Sequence, residues 1–166
     1  MSVLVLSDTH VGRGGSDRLL RILGPRLRDA EAILHAGDIT DVEVLTVLSK
    51  FAPTYAVLGN NDHGIPLPEQ RVVELRGCSI GMVHDSGDAA GRGRRLHRWF
   101  PDADVVVFGH SHLPWNQADV RPEDGHRQLH LNPGSPTHRR RAPRCTIAWL
   151  DLEDGRVLGA RHEPVS

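Results

Sequence analysis

Cysteine is nearly absent. Cys78 and Cys145 are the only two in 166 residues. Two thiols cannot build a disulfide framework, and both stand in apolar, strand-like runs where a reduced, buried thiol is the expected state. A reducing compartment follows, and the cytoplasm is the expected location. Long apolar runs are missing too. None approaches the roughly 20 residues that span a bilayer, so no membrane role is expected. The opening Met1–Asp8 has no basic flank and no cleavage site, and does not read as a signal peptide. An excess of either charge is also lacking. Lys+Arg 20 against Asp+Glu 21 leaves −1, too little to draw the chain onto nucleic acid or a membrane.

What is abundant is histidine, with 11 in the chain. Their positions become informative once strands are drawn. Apolar runs predict strands over Val3–Ser7, Ala32–Ala36, Thr54–Leu58, Arg71–Leu75, Cys78–Val83 and Val105–Phe108. Later strands are expected over Gln128–Leu131, Thr146–Leu150 and Arg156–Ala160. Helical spacing covers Asp17–Asp29, with Gly24-Pro25 as a break, then Asp41–Lys50 with Asp41 as N-cap, then Gly91–Phe100. The first half therefore reads β-α-β-α-β, which argues for parallel strands. Arg76-Gly77 and Glu153-Asp154-Gly155 are hairpin signals. The class is mixed α/β. No linker interrupts the chain, so residues 1–166 read as one domain.

The ends of the strands carry the chemistry. Successive apolar runs finish in Asp8-Thr9-His10, in Gly37-Asp38, in Gly59-Asn60, in His84, and in Gly109-His110-Ser111-His112. In open α/β sheets, sites form beyond the carboxyl ends of the strands. If these strands are parallel neighbours, Asp8, His10, Asp38, Asn60, His84, His110 and His112 meet at one rim. Asp8 and His10, like His110 and His112, are two apart and share a side of an extended segment. The glycines allow a sharp exit and close backbone approach. With no cysteine in the set, the donors are oxygen and imidazole nitrogen, which suits manganese, iron, zinc or nickel. Seven donors exceed the needs of one tetrahedral ion, and two ions sharing a carboxylate fit better.

This ordered series resembles that of the calcineurin-like metallophosphoesterases, over nearly the whole chain. Asn132-Pro133-Gly134-Ser135 resembles a signature of their small phosphodiesterase branch, which includes the retromer subunit. The resemblance implies a four-layer sandwich of two mixed β-sheets flanked by helices. It also implies two divalent ions, with manganese the leading expectation. Asp8, His10, Asp38 and His112 would hold one, and Asp38, Asn60, His84 and His110 the other, with Asp38 bridging. Asn60 and His84 are then the catalytic candidates, acting on the metals and the phosphate. The expected nucleophile is a hydroxide bridging the two ions.

One position departs from the pattern. Many members carry His directly after the metal-binding Asn, as general acid. Here that residue is Asn61, which cannot protonate a departing alkoxide. Turnover should therefore favour phosphodiesters with activated leaving groups, nucleotide-derived substrates among them. His63 reads first as a loop residue and, by proximity, as a substitute acid to test; Arg13 and Trp115 are further substrate contacts to test. His35 reads as a packed core residue, while His97, His126, His138 and His162 read as solvated. Two alternatives remain: a protein-binding scaffold with little catalysis, and a small nuclease. The basic run His138–Arg141 with Arg144 is the only nucleic-acid signal, and it lacks interleaved aromatics. Nucleic acid is therefore not the expected partner. Trp99-Phe100 offers either core packing or a contact for a homo-oligomer.

Overall fold

Strands packed on both faces should be apolar without alternation. β1 (Ser2–Leu6), β2 (Ala32–His35) and β6 (Val105–Val107) meet that condition, and each is buried nearly end to end. The computed structural model describes residues 1–165 and shows what covers each face. The remaining strands are β3 (Thr54–Ala56), β4 (Gln70–Leu75), β5 (Cys78–Val83), β7 (Trp115–Val120), β8 (Arg127–Asn132), β9 (Cys145–Glu153) and β10 (Arg156–Val165). The helices are α1 (Ser16–Leu23), α2 (Arg26–Asp29), α3 (Glu43–Leu48) and α4 (Arg92–Trp99).

These strands form two five-stranded sheets, ordered β10-β9-β1-β2-β3 and β4-β5-β6-β8-β7. Both are mixed. β1, β2 and β3 run parallel while β9 and β10 are antiparallel. In the second sheet β5, β6 and β8 run parallel, with β4 and β7 antiparallel at the edges. Val3, Val5 and Leu34 of the first sheet pack against Ile80, Met82, Val105 and Val107 of the second. The alternate residues Leu4, Leu6 and Ile33 face Leu19, Leu23 and Leu27 of α1 and α2 and Leu48 of α3. On the far side Val106 and Phe108 meet Leu96 and Phe100, next to and within α4. The order helix, sheet, sheet, helix is the four-layer sandwich. Each fully buried aliphatic side chain in it contributes about 1.5–3 kcal/mol.

The expected helix over 17–29 breaks at Gly24-Pro25 into α1 and α2. Asp41 lies one residue before the α3 cap, where its Oδ1 accepts from the Glu43 amide at 3.0 Å. β7 escaped the sequence pattern because Trp-Asn-Gln-Ala-Asp-Val is a largely exposed edge with no apolar alternation. The C-terminal hairpin is longer than expected, with an irregularity between Val157 and Gly159. Phe100 is buried and Trp99 packs against the same cluster, so core packing accounts for this pair. One expectation needs correcting: the five motif strands are not neighbours in one sheet. β1, β2 and β3 belong to the first, β5 and β6 to the second, and the rim lies where the carboxyl ends of both meet.

Candidate metal centre

The loops leaving β1, β2, β3, β5 and β6 bring all seven residues together. Asp8, Asp38, His84 and His112 are buried, while His10 and His110 are partly exposed. His10 Nε2 lies 3.3 Å from Asp38 Oδ2 and 3.8 Å from Asp8 Oδ1. His112 Nε2 lies 3.3 Å from Asp8 Oδ1, and its ring stacks on that of His10. On the other side His84 Nε2 is 3.5 Å from Asp38 Oδ2 and 3.9 Å from Asp8 Oδ1. Asn60 Oδ1 is 3.0 Å from His84 Nε2 and 3.1 Å from His110 Nδ1.

The backbone that does this is not extended. Asp8, His10, Asp38, His110 and His112 all have positive φ, between 40° and 67°. Such conformations cost free energy for residues with a side chain and gather at functional sites. The two-apart pairs therefore converge through tight left-handed turns, not through the alternation of a strand. Three glycines make room. A Cβ on Gly109 would fall 1.8 Å from Ser7 Oγ. One on Gly59 would fall 2.3 Å from Asp38 Oδ1, and one on Gly37 would fall 2.8 Å from His84 Nδ1.

Supporting hydrogen bonds decide which way the donors face. His84 Nδ1 lies 2.7 Å from the Ala36 carbonyl, and His112 Nδ1 lies 2.5 Å from the His138 carbonyl. A carbonyl only accepts, so in each neutral ring Nδ1 carries the proton and Nε2 turns a lone pair inward. Asp8 Oδ2 accepts from Ser7 Oγ and from the His110 amide. Asp38 accepts from the backbone and side-chain nitrogens of Asn61. Burial works against the Asp38 carboxylate, yet the neighbouring His84 ring and the hydrogen bonds from Asn61 outweigh it and hold the group well below the usual range. Burial also opposes a charged His84, but Asp38, Asp8 and the Ala36 carbonyl raise its pKa. Burial lowers that of His10.

Within this shell Asp8 Oδ1, His10 Nε2 and His112 Nε2 are buried without any hydrogen-bond partner. Unpaired buried polar atoms are costly. Here carboxylate oxygens face imidazole lone pairs, and a divalent cation is what satisfies both. Asp8 belongs to two clusters of metal-binding geometry, one with His10 and His112, the other with Asp38 and His84. The donor set thus fits metal.

Further residues take roles that the sequence left open. Asn132 Nδ2 donates to the Gly109 carbonyl, Ser135 Oγ to the Asp8 carbonyl, and Thr137 Oγ1 to the Thr9 carbonyl. The Asn-Pro-Gly-Ser turn is a brace behind the rim. Asp62 ties the Gly59 and Thr40 amides together, so it joins two loops besides closing its own turn. His35 is fully buried 3.1 Å from Thr9 Oγ1, as expected of a core residue. His63 lines a cleft of about 370 Å³ with Asn60, Glu69 and His84. Arg13 is exposed. Arg140, exposed in the basic run, sets its guanidinium at the rim, donating to the His110 carbonyl at 3.2 Å. His97 was expected in solvent and is buried.

Residues 1–155 match the model of the calcineurin-like phosphoesterase superfamily domain. A probable metallophosphoesterase of Methanothermobacter thermautotrophicus is 36% identical over 150 residues, covering 88% of this chain and 81% of that one. The fold is shared with Vps29 of Entamoeba histolytica complexed with zinc (TM-score 0.71, 22% identity, 98% and 97% of the two chains). It is shared equally with a novel archaeal phosphodiesterase (TM-score 0.69, 21% identity, all of both chains). On the strength of the family match and the curated relative, this chain belongs to the metal-dependent calcineurin-like phosphoesterase superfamily.

Proposed function

We propose that the protein is a phosphodiesterase working with two divalent cations, manganese foremost. Asp8, His10, Asp38 and His112 would hold one, and Asp38, Asn60, His84 and His110 the other. The observation that carries this reading is the set of buried, partnerless atoms Asp8 Oδ1, His10 Nε2 and His112 Nε2 turned toward one another. Bound cations supply Lewis-acid polarisation of a phosphoryl oxygen and activation of water at neutral pH.

The chain's own groups supply orientation and charge. Asp8 and Asp38 bring the negative charge that holds cations in a buried rim. The carbonyls of Ala36 and His138 fix the tautomers of His84 and His112, so the donor atoms need no reorganisation. The Arg140 guanidinium beside His110 is the cation for a non-bridging phosphate oxygen. The Asn61 amide is engaged with Asp38 Oδ2 and has no proton to give an alkoxide. Diesters with activated leaving groups are accordingly the best substrates, and His63 in the neighbouring cleft is the remaining acid.

The test is hydrolysis of bis-nitrophenyl phosphate by the protein loaded with manganese or nickel. Turnover lost in Asp38→Ala and His84→Ala, with the fold retained, supports the reading. Fully metal-loaded protein without turnover on any diester overturns it. A second reading, a protein-binding scaffold, is favoured by the commitment of Asn61 to Asp38 in place of an acid. A stoichiometric partner still bound by the metal-site variants would select it.

A further inference from the structure

A second cluster of metal-binding residues lies away from the rim, on the outer face of the second sheet. His97 of α4, Asp119 of β7 and His130 of β8 come together there, with one donor atom from each within 4.8 Å of the others. We propose that these three residues bind a transition-metal ion of the zinc type, as a site separate from the phosphoesterase centre.

The topology builds the cluster. His130 pairs with Gln117 across the β7–β8 ladder and Asp119 pairs with Gln128, so His130 and Asp119 share the face that α4 covers. His97 comes down from the helix onto the same spot. Gly93, one turn earlier in α4, leaves the space that the carboxylate occupies. A Cβ there would fall 2.5 Å from Asp119 Oδ2.

Two features point to a ligand and not to ordinary packing. His97 is 96% buried, its Nδ1 has no hydrogen-bond partner, and its Nε2 makes no well-aligned hydrogen bond. Its Nε2 lies 3.1 Å from Asp119 Oδ2. Two donors held about 2.0–2.1 Å from a tetrahedral ion stand roughly 3.3 Å apart, so this separation suits a shared cation. The second feature is the orientation of His130. Gln128 Nε2 donates to the carbonyls of Phe100 and Ala103, at 2.8 and 3.0 Å. That turns Gln128 Oε1 toward His130 Nε2 at 2.9 Å. The amide oxygen only accepts, so Nε2 carries the proton and Nδ1 keeps the lone pair. Fixing a ring through its far nitrogen is the arrangement commonly found behind metal-bound histidines.

The surroundings select the class of ion. Arg92 lies near His130 and opposes a cation through its charge. Asp119 is the single carboxylate among the three proposed ligands. Two imidazoles and one carboxylate suit zinc or its cobalt and nickel analogues, not calcium or magnesium, which need mostly oxygen donors. A cavity of about 180 Å³, lined by Arg92, Trp115, Asp119 and His130 among others, leads to the site and leaves room for a fourth ligand. A bound ion would tie α4 to the β7–β8 edge and stabilise the folded chain by linkage.

The experiment uses the full chain with the phosphoesterase centre disabled by Asp8→Asn and His84→Gln, and Zn²⁺ as the probe. The disabled protein should retain one equivalent of zinc after dialysis. Adding His97→Gln or His130→Gln should weaken binding by at least about tenfold. No retained zinc in the folded, disabled protein overturns the proposal, as does affinity indifferent to both histidine substitutions. A parallel measurement needs no variant. Ring-nitrogen shifts of His97 and His130 are followed in the wild-type protein as Zn²⁺ is added. They should move and saturate, and resonances that stay still while those of His84 and His112 shift overturn the proposal. Neither readout is hydrolysis, so the outcome is independent of the proposed reaction.

Discussion

Asn61 grips Asp38 with both of its nitrogens. Its backbone amide donates to Oδ1 at 2.9 Å and its side-chain amide to Oδ2 at 2.7 Å. The residue at the general-acid position is therefore spent on holding the central carboxylate. Under the proposed function, that single relationship would link the orientation of a metal donor to the choice of ester.

Asn61→Ala should weaken divalent-metal affinity by about tenfold or more, the usual scale for losing such a supporting bond. Titration with Mn²⁺ measures it. Asn61→His should raise kcat for a diester with a poor leaving group by about a hundredfold relative to bis-nitrophenyl phosphate. Equal effects on the two esters would show that protonation of the leaving group is not what Asn61 withholds.

Gly109→Ala should cost about 1–3 kcal/mol and reduce metal content, because its Cβ would intrude on Ser7 Oγ and lie 2.8 Å from Asp8 Oδ2. Gly159→Ala meets nothing within 4 Å and should stay within about 0.5 kcal/mol of wild type. Urea unfolding compares the two. Equal stabilities would mean the rim loops yield easily.

His35 gives stability a pH dependence of known sign. Burial pushes its pKa from 6.5 down to about 4 in the folded protein. Between those values the unfolded chain takes up a proton that the folded chain refuses, so stability falls as the pH drops from about 6.5 toward 4 and is fully present above that window. The loss is on the order of 3 kcal/mol at about 1.36 kcal/mol per pKa unit. His35→Gln should flatten the curve over this range. An unchanged slope would assign the dependence to other groups.

Arg140→Ala should raise KM about tenfold with a smaller change in kcat, the mark of a lost ground-state contact to phosphate. Arg141→Ala, exposed in the same run, is the control and should change neither. Steady-state kinetics on bis-nitrophenyl phosphate with manganese separates the two variants.

Periodicity and punctuation made most of the strands readable, since a strand buried on both faces must be apolar throughout and glycine must mark its exit. β7 was not readable, because an exposed edge strand needs no apolar pattern. Arg140 was legible only as part of a basic run. Its contact with the His110 carbonyl depends on a loop that returns to the rim through the Asn132–Ser135 brace. His97 sits in an arginine-rich helix whose composition suggests solvent, and only the packing of α4 on the second sheet buries it.

By itself the chain's order of residues determined the chemistry: which carboxylates, imidazoles and amide stand at strand ends, and that no thiol is among them. Tertiary structure decided their geometry. The seven come from two sheets, on backbone turned to positive φ, and neither could be read along the chain. The physical reason is that donor identity is local, a property of each side chain. Which lone pair faces inward depends on carbonyls from distant loops, such as those of Ala36 and His138.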